Sequence, residues 1–265
     1  MFSDYFLALL LSHLAGDFVF QSDQLCKLKK EPDIKQRVLG ISIHVVIMML
    51  INITVFGFMA KGIPWIVLFL VNFFHWLIDM AKSTILASLA STGQMEAKPQ
   101  NKLNVCLFIA DQLLHIISIF IAAHALYSFD VNHYRSFFDQ LVSGTVMVSK
   151  SLTILKKILL ILIYLCLATS VSNVIVKMFL SGLRKDLGAD VKTGRYIGGV
   201  ERILTISIIL AGAWQALTVL YGSKTAIRFD QAKDNPDFAE YYILGTTLSA
   251  LLAAIIAVAV KITLL

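Results

Sequence analysis

Long apolar stretches separated by short polar loops dominate the chain. Each stretch is long enough to cross a bilayer as an α-helix, which needs about 20 mostly apolar residues. The predicted spans are 2–21, 38–60, 65–90, 103–127, 152–180, 197–221 and 238–264. The pattern therefore predicts about seven membrane-spanning helices, within a range of six to eight.

The predicted fold is an all-α polytopic transmembrane helical bundle. We divide it into a four-helix membrane domain (1–128), a loop or interfacial segment (129–151) and a C-terminal three-helix membrane part (152–265). Composition agrees, because 58% of the 265 residues are hydrophobic and only 15% are charged. Soluble domains average about 45–50% apolar and about 25% charged residues.

The first apolar segment contains a polar stripe where hydrocarbon side chains are expected. His13, Asp17 and Gln21 recur every fourth residue, so a helix with 3.6 residues per turn places them on one face. Ionisable groups inside a membrane cost roughly 2.5–3.5 kcal/mol each on insertion scales and are expected to face protein or water. Gly16, beside the stripe, would allow another backbone to come close.

Three further apolar segments carry polar side chains of the same kinds. These are His44 in the second segment, His75, Asp79 and Lys82 in the third, and Asp111, Gln112 and His115 in the fourth. Because consecutive spans run in opposite directions, these groups and the stripe all fall in the same leaflet. We therefore expect one site.

Imidazoles and carboxylates four residues apart can present two ligands to one ion from a single helix face. The predicted ligands are His13, Asp17, His44, His75, Asp79, Asp111 and His115. This donor set, without thiolates, suits a divalent metal such as Zn, Mn or Fe.

Some of these residues have predicted roles beyond binding the metal. Asp17 and Asp111 are candidate general bases, and Lys82 is expected to pair with a carboxylate or a phosphate. Gln21 and Gln112 are predicted to support the site. Structural interpretations stay open: an intramembrane histidine often bonds between helices, Asp79–Lys82 can be a simple ion pair, and Asp17 and Gln21 can mark a solvated helix end.

The distribution of basic residues predicts the orientation. Of the 23 Lys and Arg residues, 15 fall on the side of loops one, three and five and the C-terminus. The positive-inside rule then places loop one in the cytoplasm and the N-terminus outside. The basic residues are not interleaved with aromatic ones as on a nucleic-acid surface, so the net charge of +6 indicates anionic lipid as partner.

The C-terminal half contains other polar residues inside or beside apolar segments. Glu201 and Arg202 lie near a predicted helix start and are expected to bind each other or a lipid head group. Gly245, Thr246 and Ser249 form a small-residue face suited to close helix packing. The roles of Arg228 and Glu240 and the oligomeric state stay open.

The motifs resemble those of an uncharacterised family of bacterial integral membrane proteins, a domain of unknown function. The resemblance lies in HLAGDFVFQ at 13–21, His44, HWLIDMAK at 75–82 and DQLLH at 111–115. The stretches 194–202, 224–229 and 240–249 resemble the C-terminal part of longer members. More weakly, the His-x-x-x-Asp helix is similar to membrane-bound proteins described as metal-dependent hydrolases.

The leading hypothesis is a metal-dependent hydrolase in a bacterial inner membrane. Its substrate would be a lipid or a lipid-linked phosphate or ester, reached from the cytoplasmic leaflet. The alternatives are an ion- or proton-coupled transporter that uses the same residues as a relay, and a non-catalytic membrane scaffold.

Overall fold

The computed structural model describes residues 3–59, 63–91, 97–128, 154–181 and 191–264. Helices and short connections make up these ranges, which contain no strand, so the predicted all-α class is confirmed there. The chain divides into two compact units, Met1–Ile163 and Tyr164–Leu265. The predicted segment 129–151 lies outside the described residues.

Five helices are long and apolar enough to cross a membrane: Ile34–Phe58, Trp65–Leu89, Leu103–Leu126, Ile154–Leu180 and Pro236–Leu264. They correspond to the second, third, fourth, fifth and seventh predicted spans. The other two predicted spans form helices that are shorter or interrupted, as described below.

The first unit contains a short bundle of antiparallel helices. Its elements are α1 (Asp4–Leu14), a π turn (Ala15–Val19), α2 (Asp23–Leu28), α3 (Ile34–Phe58), α4 (Trp65–Ser91) and α5 (Ala97–Ser128). The division between the units falls within the next helix, α6 (Ile154–Cys166).

The first helix ends earlier than the sequence pattern predicts. Ser3 caps its start by accepting a hydrogen bond from the Phe6 amide at 3.2 Å. The backbone then widens into the π turn, where the Phe20 amide donates to the Ala15 carbonyl at 2.9 Å. Gln21 therefore lies beyond the helix, and the expectation that it continues a regular helical stripe is wrong.

A second helix, α2, forms inside the predicted loop one. Ser22 caps it, and its end packs onto α3 at Gly40. A Cβ on Gly40 would lie 2.9 Å from Leu28 Cγ and 3.0 Å from the Lys29 amide nitrogen. Only a residue without a side chain permits this close approach, which holds Lys29 against α3.

The bundle of the first unit is apolar at one end and polar at the other. Its hydrophobic core comes from the middle of α1, the end of α3, the start of α4 and the end of α5, with Leu9, Phe56, Leu68 and Ile119 among its buried members. The predicted site residues lie at the opposite ends of α3, α4 and α5. The polar side chains of successive helices therefore lie at one depth along the bundle, as the sequence predicted.

The second unit contains the end of α6, a π turn (Leu167–Val171), α7 (Ser172–Leu180), α8 (Val191–Leu210), α9 (Gln215–Asp234) and α10 (Pro236–Leu264). The predicted sixth span, 197–221, is not one helix. Gly212 adopts a φ of 70°, a left-handed conformation that glycine reaches without strain, and the helix stops there. The residues after it, predicted as a polar loop, form α9.

Arg202 is buried in the second unit and does not bind Glu201, contrary to one of the two expectations for it. Its Nε donates to the Ala168 carbonyl at 2.5 Å, and its Nη2 donates to the Thr169 carbonyl at 3.2 Å and to Asn173 Oδ1 at 2.5 Å. Its Nη1 donates to Ser249 Oγ at 2.9 Å. Glu201 instead pairs with Lys224 at 2.6 Å. Arg202 thus joins α8 to the π turn, α7 and α10.

Replacing Arg202 with Met should destabilise the second unit. The variant loses two buried and two partly buried hydrogen bonds and leaves their acceptors unpaired, at a cost of about 2–4 kcal/mol and roughly 5–10 °C in Tm. Thermal unfolding of purified protein in detergent measures the change. The control is Arg228→Met, since Arg228 is exposed and donates to Gln231 on its own helix. Equal melting of the two variants would contradict this role.

Candidate metal centre

Three side chains from three segments meet at the polar end of the first unit. Asp17 comes from the π turn, His44 from α3 and His75 from α4. His44 Nε2 lies 3.0 Å from Asp17 Oδ1 and 3.1 Å from His75 Nε2. The third side of this triangle, from His75 Nε2 to Asp17 Oδ1, is 3.5 Å.

The triangle has the dimensions of a metal site. Zinc binds histidine nitrogen and carboxylate oxygen at about 2.0–2.2 Å, and tetrahedral ligands are then separated by about 3.3–3.5 Å. Hydrogen bonding alone does not account for all three contacts, because His44 Nε2 carries at most one proton. That proton can be donated to Asp17 or to His75, but a metal ion would satisfy all three atoms.

Asp79 lies at the edge of the triangle. Its Oδ2 is 3.9 Å from His44 Nε2 and 3.8 Å from His75 Nε2. The same oxygen lies 2.5 Å from Lys29 Nζ. Asp79 therefore lies close enough to be a further candidate ligand, and a lysine balances its charge.

Lys29 is a site residue that sequence reasoning missed, since it was counted only among the basic residues of loop one. Ser83 Oγ of α4 donates to its carbonyl at 2.6 Å. With its amide oriented to satisfy both neighbours, Gln21 donates to the Asp17 carbonyl at 3.0 Å and accepts from Lys29 Nζ at 2.9 Å. Gln21 thus supports the site from outside the helix. The spacing of Lys29 gives no signal, because its position depends on the α2–α3 contact.

A second group of polar residues combines Lys82 of α4 with Asp111 and Gln112 of α5. Lys82 Nζ lies 2.7 Å from Asp111 Oδ2, and Gln112 Nε2 donates to the same oxygen at 3.2 Å and to Asp17 Oδ2 at 3.4 Å. Gln112 Oε1 lies 3.3 Å from His13 Nε2. Gln112 therefore connects this group to the triangle.

His13 and His115 each keep a ring nitrogen free for a ligand. His115 Nδ1 donates to the Asp111 carbonyl at 2.8 Å, so its Nε2 presents a lone pair, and this atom is buried without a hydrogen-bond partner among the described residues. A ligating histidine commonly donates its other nitrogen in this way. The His13–Gln112 contact likewise leaves His13 Nδ1 as the lone-pair nitrogen, 3.9 Å from Asp17 Oδ2.

The histidines form one continuous group. The ring centroids of His75 and His115 are 4.1 Å apart, those of His13 and His115 are 4.9 Å apart, and those of His44 and His75 are 5.2 Å apart. We call His13, Asp17, His44, His75, Asp79, Asp111 and His115 the histidine–aspartate cluster.

Three sets within the cluster have ligand atoms within 4.8 Å of one another: His13, Asp17 and His75; His44, His75 and Asp79; and Asp79, Asp111 and His115. His75 and Asp79 each belong to two sets, so the arrangement suits one ion or two neighbouring ions.

The charge balance of the cluster favours a cation. Three carboxylates face two lysines, so with neutral imidazoles one negative charge remains. Asp79 and Asp111 each pair with a lysine. Among the described residues, the basic side chains within 4 Å of the Asp17 carboxylate are histidines, which carry no charge when neutral. The excess charge therefore lies at the triangle.

A small cavity lies beside the rings of His13, His75 and His115. Its volume is about 10 Å³, room for about one water molecule. Asn52 and Asn72 also line it, and the Oδ1 atoms of both are buried without a hydrogen-bond partner among the described residues.

A side chain, and not the backbone of another helix as the sequence predicted, approaches Gly16 closely. A Cβ there would overlap the sulfur of Met48, so the space beside Gly16 is filled by a side chain of α3.

The fold and this cluster define a helical membrane protein with a buried histidine–aspartate centre. The chain belongs to the family described as "Protein of unknown function (DUF3307)", whose model matches residues 5–144. The match includes the whole cluster and confirms the resemblance to an uncharacterised family, whereas 194–202, 224–229 and 240–249 lie outside it. Searches of curated proteins and of solved structures found no match.

Replacing Lys29 should leave the Asp79 carboxylate buried without an opposite charge. Side-chain exposure is 14% for Lys29 and 5% for Asp79, and losing one partner of a buried ion pair costs about 3–5 kcal/mol. We expect Lys29→Met to melt well below the wild type in chelator-treated protein. The double variant Lys29→Met/Asp79→Asn should recover most of the loss.

The matched control is Lys30→Met, because Lys30 is the exposed neighbour of Lys29 and its replacement should leave the melting temperature unchanged. A double variant no more stable than Lys29→Met would show that the pair does not balance a buried charge.

Proposed function

We propose that the protein is a metal-dependent hydrolase of the bacterial inner membrane. Its substrate is a lipid or a lipid-linked phosphate or ester, reached from the cytoplasmic leaflet. The observation that carries the proposal is the spacing of Asp17 Oδ1, His44 Nε2 and His75 Nε2 at 3.0, 3.1 and 3.5 Å. These separations lie within a few tenths of an ångström of the roughly 3.3–3.5 Å between ligands of one tetrahedral ion.

A divalent metal such as Zn, Mn or Fe, held there, supplies a Lewis acid and makes a bound water more acidic. In the hydrolysis, the water oxygen bonds to phosphorus or to the acyl carbon as the bond to the leaving alcohol breaks. The carboxylate of Asp17 or Asp111 takes the proton from water and then gives it to the departing alcohol oxygen.

Lys82 would bind the anionic part of the substrate. Its side chain is 31% exposed, whereas its partner Asp111 is only 2% exposed. The ammonium group thus lies where the cluster meets its surroundings, and it can bind a phosphate oxygen while it still balances Asp111.

The proposed topology has about seven crossings, with six to eight as the range. The five long apolar helices would supply most of them, and α1 with its π turn and α8 would supply the others. The excess of basic residues on loops one, three and five supports a cytoplasmic loop one and an external N-terminus.

A proton- or ion-coupled transporter is the second candidate. It is favoured by the continuous group of imidazole rings, with neighbouring centroids 4.1–5.2 Å apart, since chains of histidine and carboxylate also serve as proton relays in transporters. A transporter of this kind would not require stoichiometric metal.

Metal analysis of purified protein is the first test. Wild-type protein should carry near-stoichiometric metal by elemental mass spectrometry, and His44→Ala and His75→Ala should lose it, because each removes one corner of the triangle. His124→Ala is the matched control, since His124 is an exposed residue of α5 outside the cluster. Its metal content should equal that of the wild type.

The same preparations should release phosphate from phosphatidic acid or a prenyl diphosphate, or acid from a lipid ester. The activity should disappear with a chelator and return with Zn or Mn. Wild-type protein that stays metal-free after reconstitution would overturn the hydrolase and favour proton-coupled transport. Cluster variants that keep full function would indicate a scaffold.

Labelling of single cysteines tests the orientation. In a background with Cys26, Cys106 and Cys166 replaced by Ser, a membrane-impermeant maleimide should label Lys30→Cys only in permeabilised spheroplasts. Phe58→Cys, at the other end of α3 and with Phe58 82% exposed, should be labelled in intact spheroplasts. The reverse pattern would place the cluster in the outer leaflet.

A further inference from the structure

A groove runs along the outside of the first unit between α3 and α4. Its volume is about 440 Å³, within the range of roughly 300–1,000 Å³ that is typical of ligand sites. Its lining is mostly apolar with a few polar groups: Ser42, Val45, Val46, Met49, Phe69, Asn72, Phe73 and Trp76. We call it the α3–α4 groove.

The groove begins at the level of the histidine–aspartate cluster. Trp76 Nε1 donates to Ser42 Oγ at 3.2 Å, and these residues neighbour His75 and His44 in sequence. From this end the groove extends seven residues along each helix, or about 10 Å at 1.5 Å per residue. The other end of the groove lies in the apolar half of the bundle. A lipid with its head group at the cluster would therefore extend its alkyl chain along the groove.

Asn72 connects the groove to the cluster. It lines both the groove and the small cavity beside His75 and His115. Its Nδ2 donates to the Leu68 carbonyl at 2.7 Å and to Met49 Sδ at 3.4 Å, which fixes the amide. Its Oδ1 is buried without a partner among the described residues, so a hydrogen-bond acceptor is left over where groove and cavity adjoin.

An ammonium group, paired with Asp79, lies at the cluster end of the same two helices. Lys29 is held against α3 at Gly40 and against α4 through Ser83 and Asp79, about one turn beyond the Ser42–Trp76 end of the groove. A ligand with an alkyl chain in the groove would thus have its head group near an ammonium group, which complements an anionic phosphate.

We propose that the α3–α4 groove is the binding site for one alkyl chain of an anionic lipid whose phosphate head group reaches the cluster. This deepens the proposed function and rests on it, because it identifies the lipid as the substrate of the metal centre. Bulk lipid would contact every exposed apolar face of the bundle equally. Binding of an anionic lipid at a specific site should instead saturate as the lipid concentration rises.

Photo-crosslinking tests the proposal in phosphatidylcholine vesicles with purified full-length protein. The probe is phosphatidic acid with a diazirine in the middle of one acyl chain, and peptide mass spectrometry locates the crosslinks. We expect crosslinks at Val45, Val46 and Phe73 that fall several-fold with excess unlabelled phosphatidic acid. Crosslinks at Ile117, an exposed residue of α5, should not fall. Equal competition at both places, or none at the groove, would overturn the site.

Two variants of α3 provide the matched comparison. Val46→Trp fills the groove and should reduce the competable crosslinks several-fold. Leu50→Trp, on the same helix and at a residue with the same 59% exposure that does not line the groove, should leave them unchanged. Equal loss in both variants would overturn the proposal.

Metal content of the same samples separates this inference from the proposed function. If wild-type protein carries metal but shows no competable crosslinks, the proposed lipid site in the groove is wrong and the proposed hydrolase function is unaffected. Competable crosslinks in protein that binds no metal would support the lipid site and overturn the hydrolase.

Discussion

Burial of three carboxylates in one half of a helical membrane unit is the constraint on which the first unit depends. Asp17, Asp79 and Asp111 each need an opposite charge, a proton or a metal, because an isolated charge in an apolar medium is strongly unfavourable. Lys29 meets this need for Asp79 and Lys82 meets it for Asp111. The short helix α2 and the close contact at Gly40 therefore have an electrostatic purpose, since they bring Lys29 from a loop to a buried carboxylate.

The third carboxylate makes the centre more than a set of ion pairs. The recorded partners of Asp17 are imidazoles and the Gln112 amide, and two of the imidazole nitrogens lie within ligand spacing of its Oδ1. If the cluster were only structural, a third lysine or a protonated imidazole in ordinary hydrogen-bond geometry would suffice. With neutral imidazoles, the triangle leaves the Asp17 carboxylate without an opposite charge, and the proposed metal ion would supply it.

Much of this centre follows from sequence, because spacing and alternating helix direction act at once. The i, i+4 pairs place His75 with Asp79 and Asp111 with His115 on single helix faces, and antiparallel spans bring them to one level. Lys29 and the position of Gln21 do not follow, because both depend on how the chain leaves a helix. The break at Gly212 is equally invisible to hydropathy, since the residues on either side of it are apolar.

The two π turns show why the chemistry belongs to the first unit. Each widens a helix and leaves backbone carbonyls without their usual partners. In the second unit, side chains take these carbonyls: Ser172 Oγ donates to Leu167 at 2.6 Å, and Arg202 donates to Ala168 and Thr169. That turn is closed by its own neighbours and acts as a joint between helices.

The π turn of the first unit differs, because it positions the side chain of Asp17. Asp17 lies within it, and the wider turn directs the carboxylate toward α3 and α4, where it meets His44 and His75. In the same unit, the lone-pair nitrogens of His13 and His115 and the amide oxygens of Asn52 and Asn72 have no hydrogen-bond partner among the described residues. A unit stabilised only by packing would pair these atoms, as the second unit pairs Arg202. These atoms lie inside the stretch that the family model matches, and a ligand bound there, as proposed, would satisfy them.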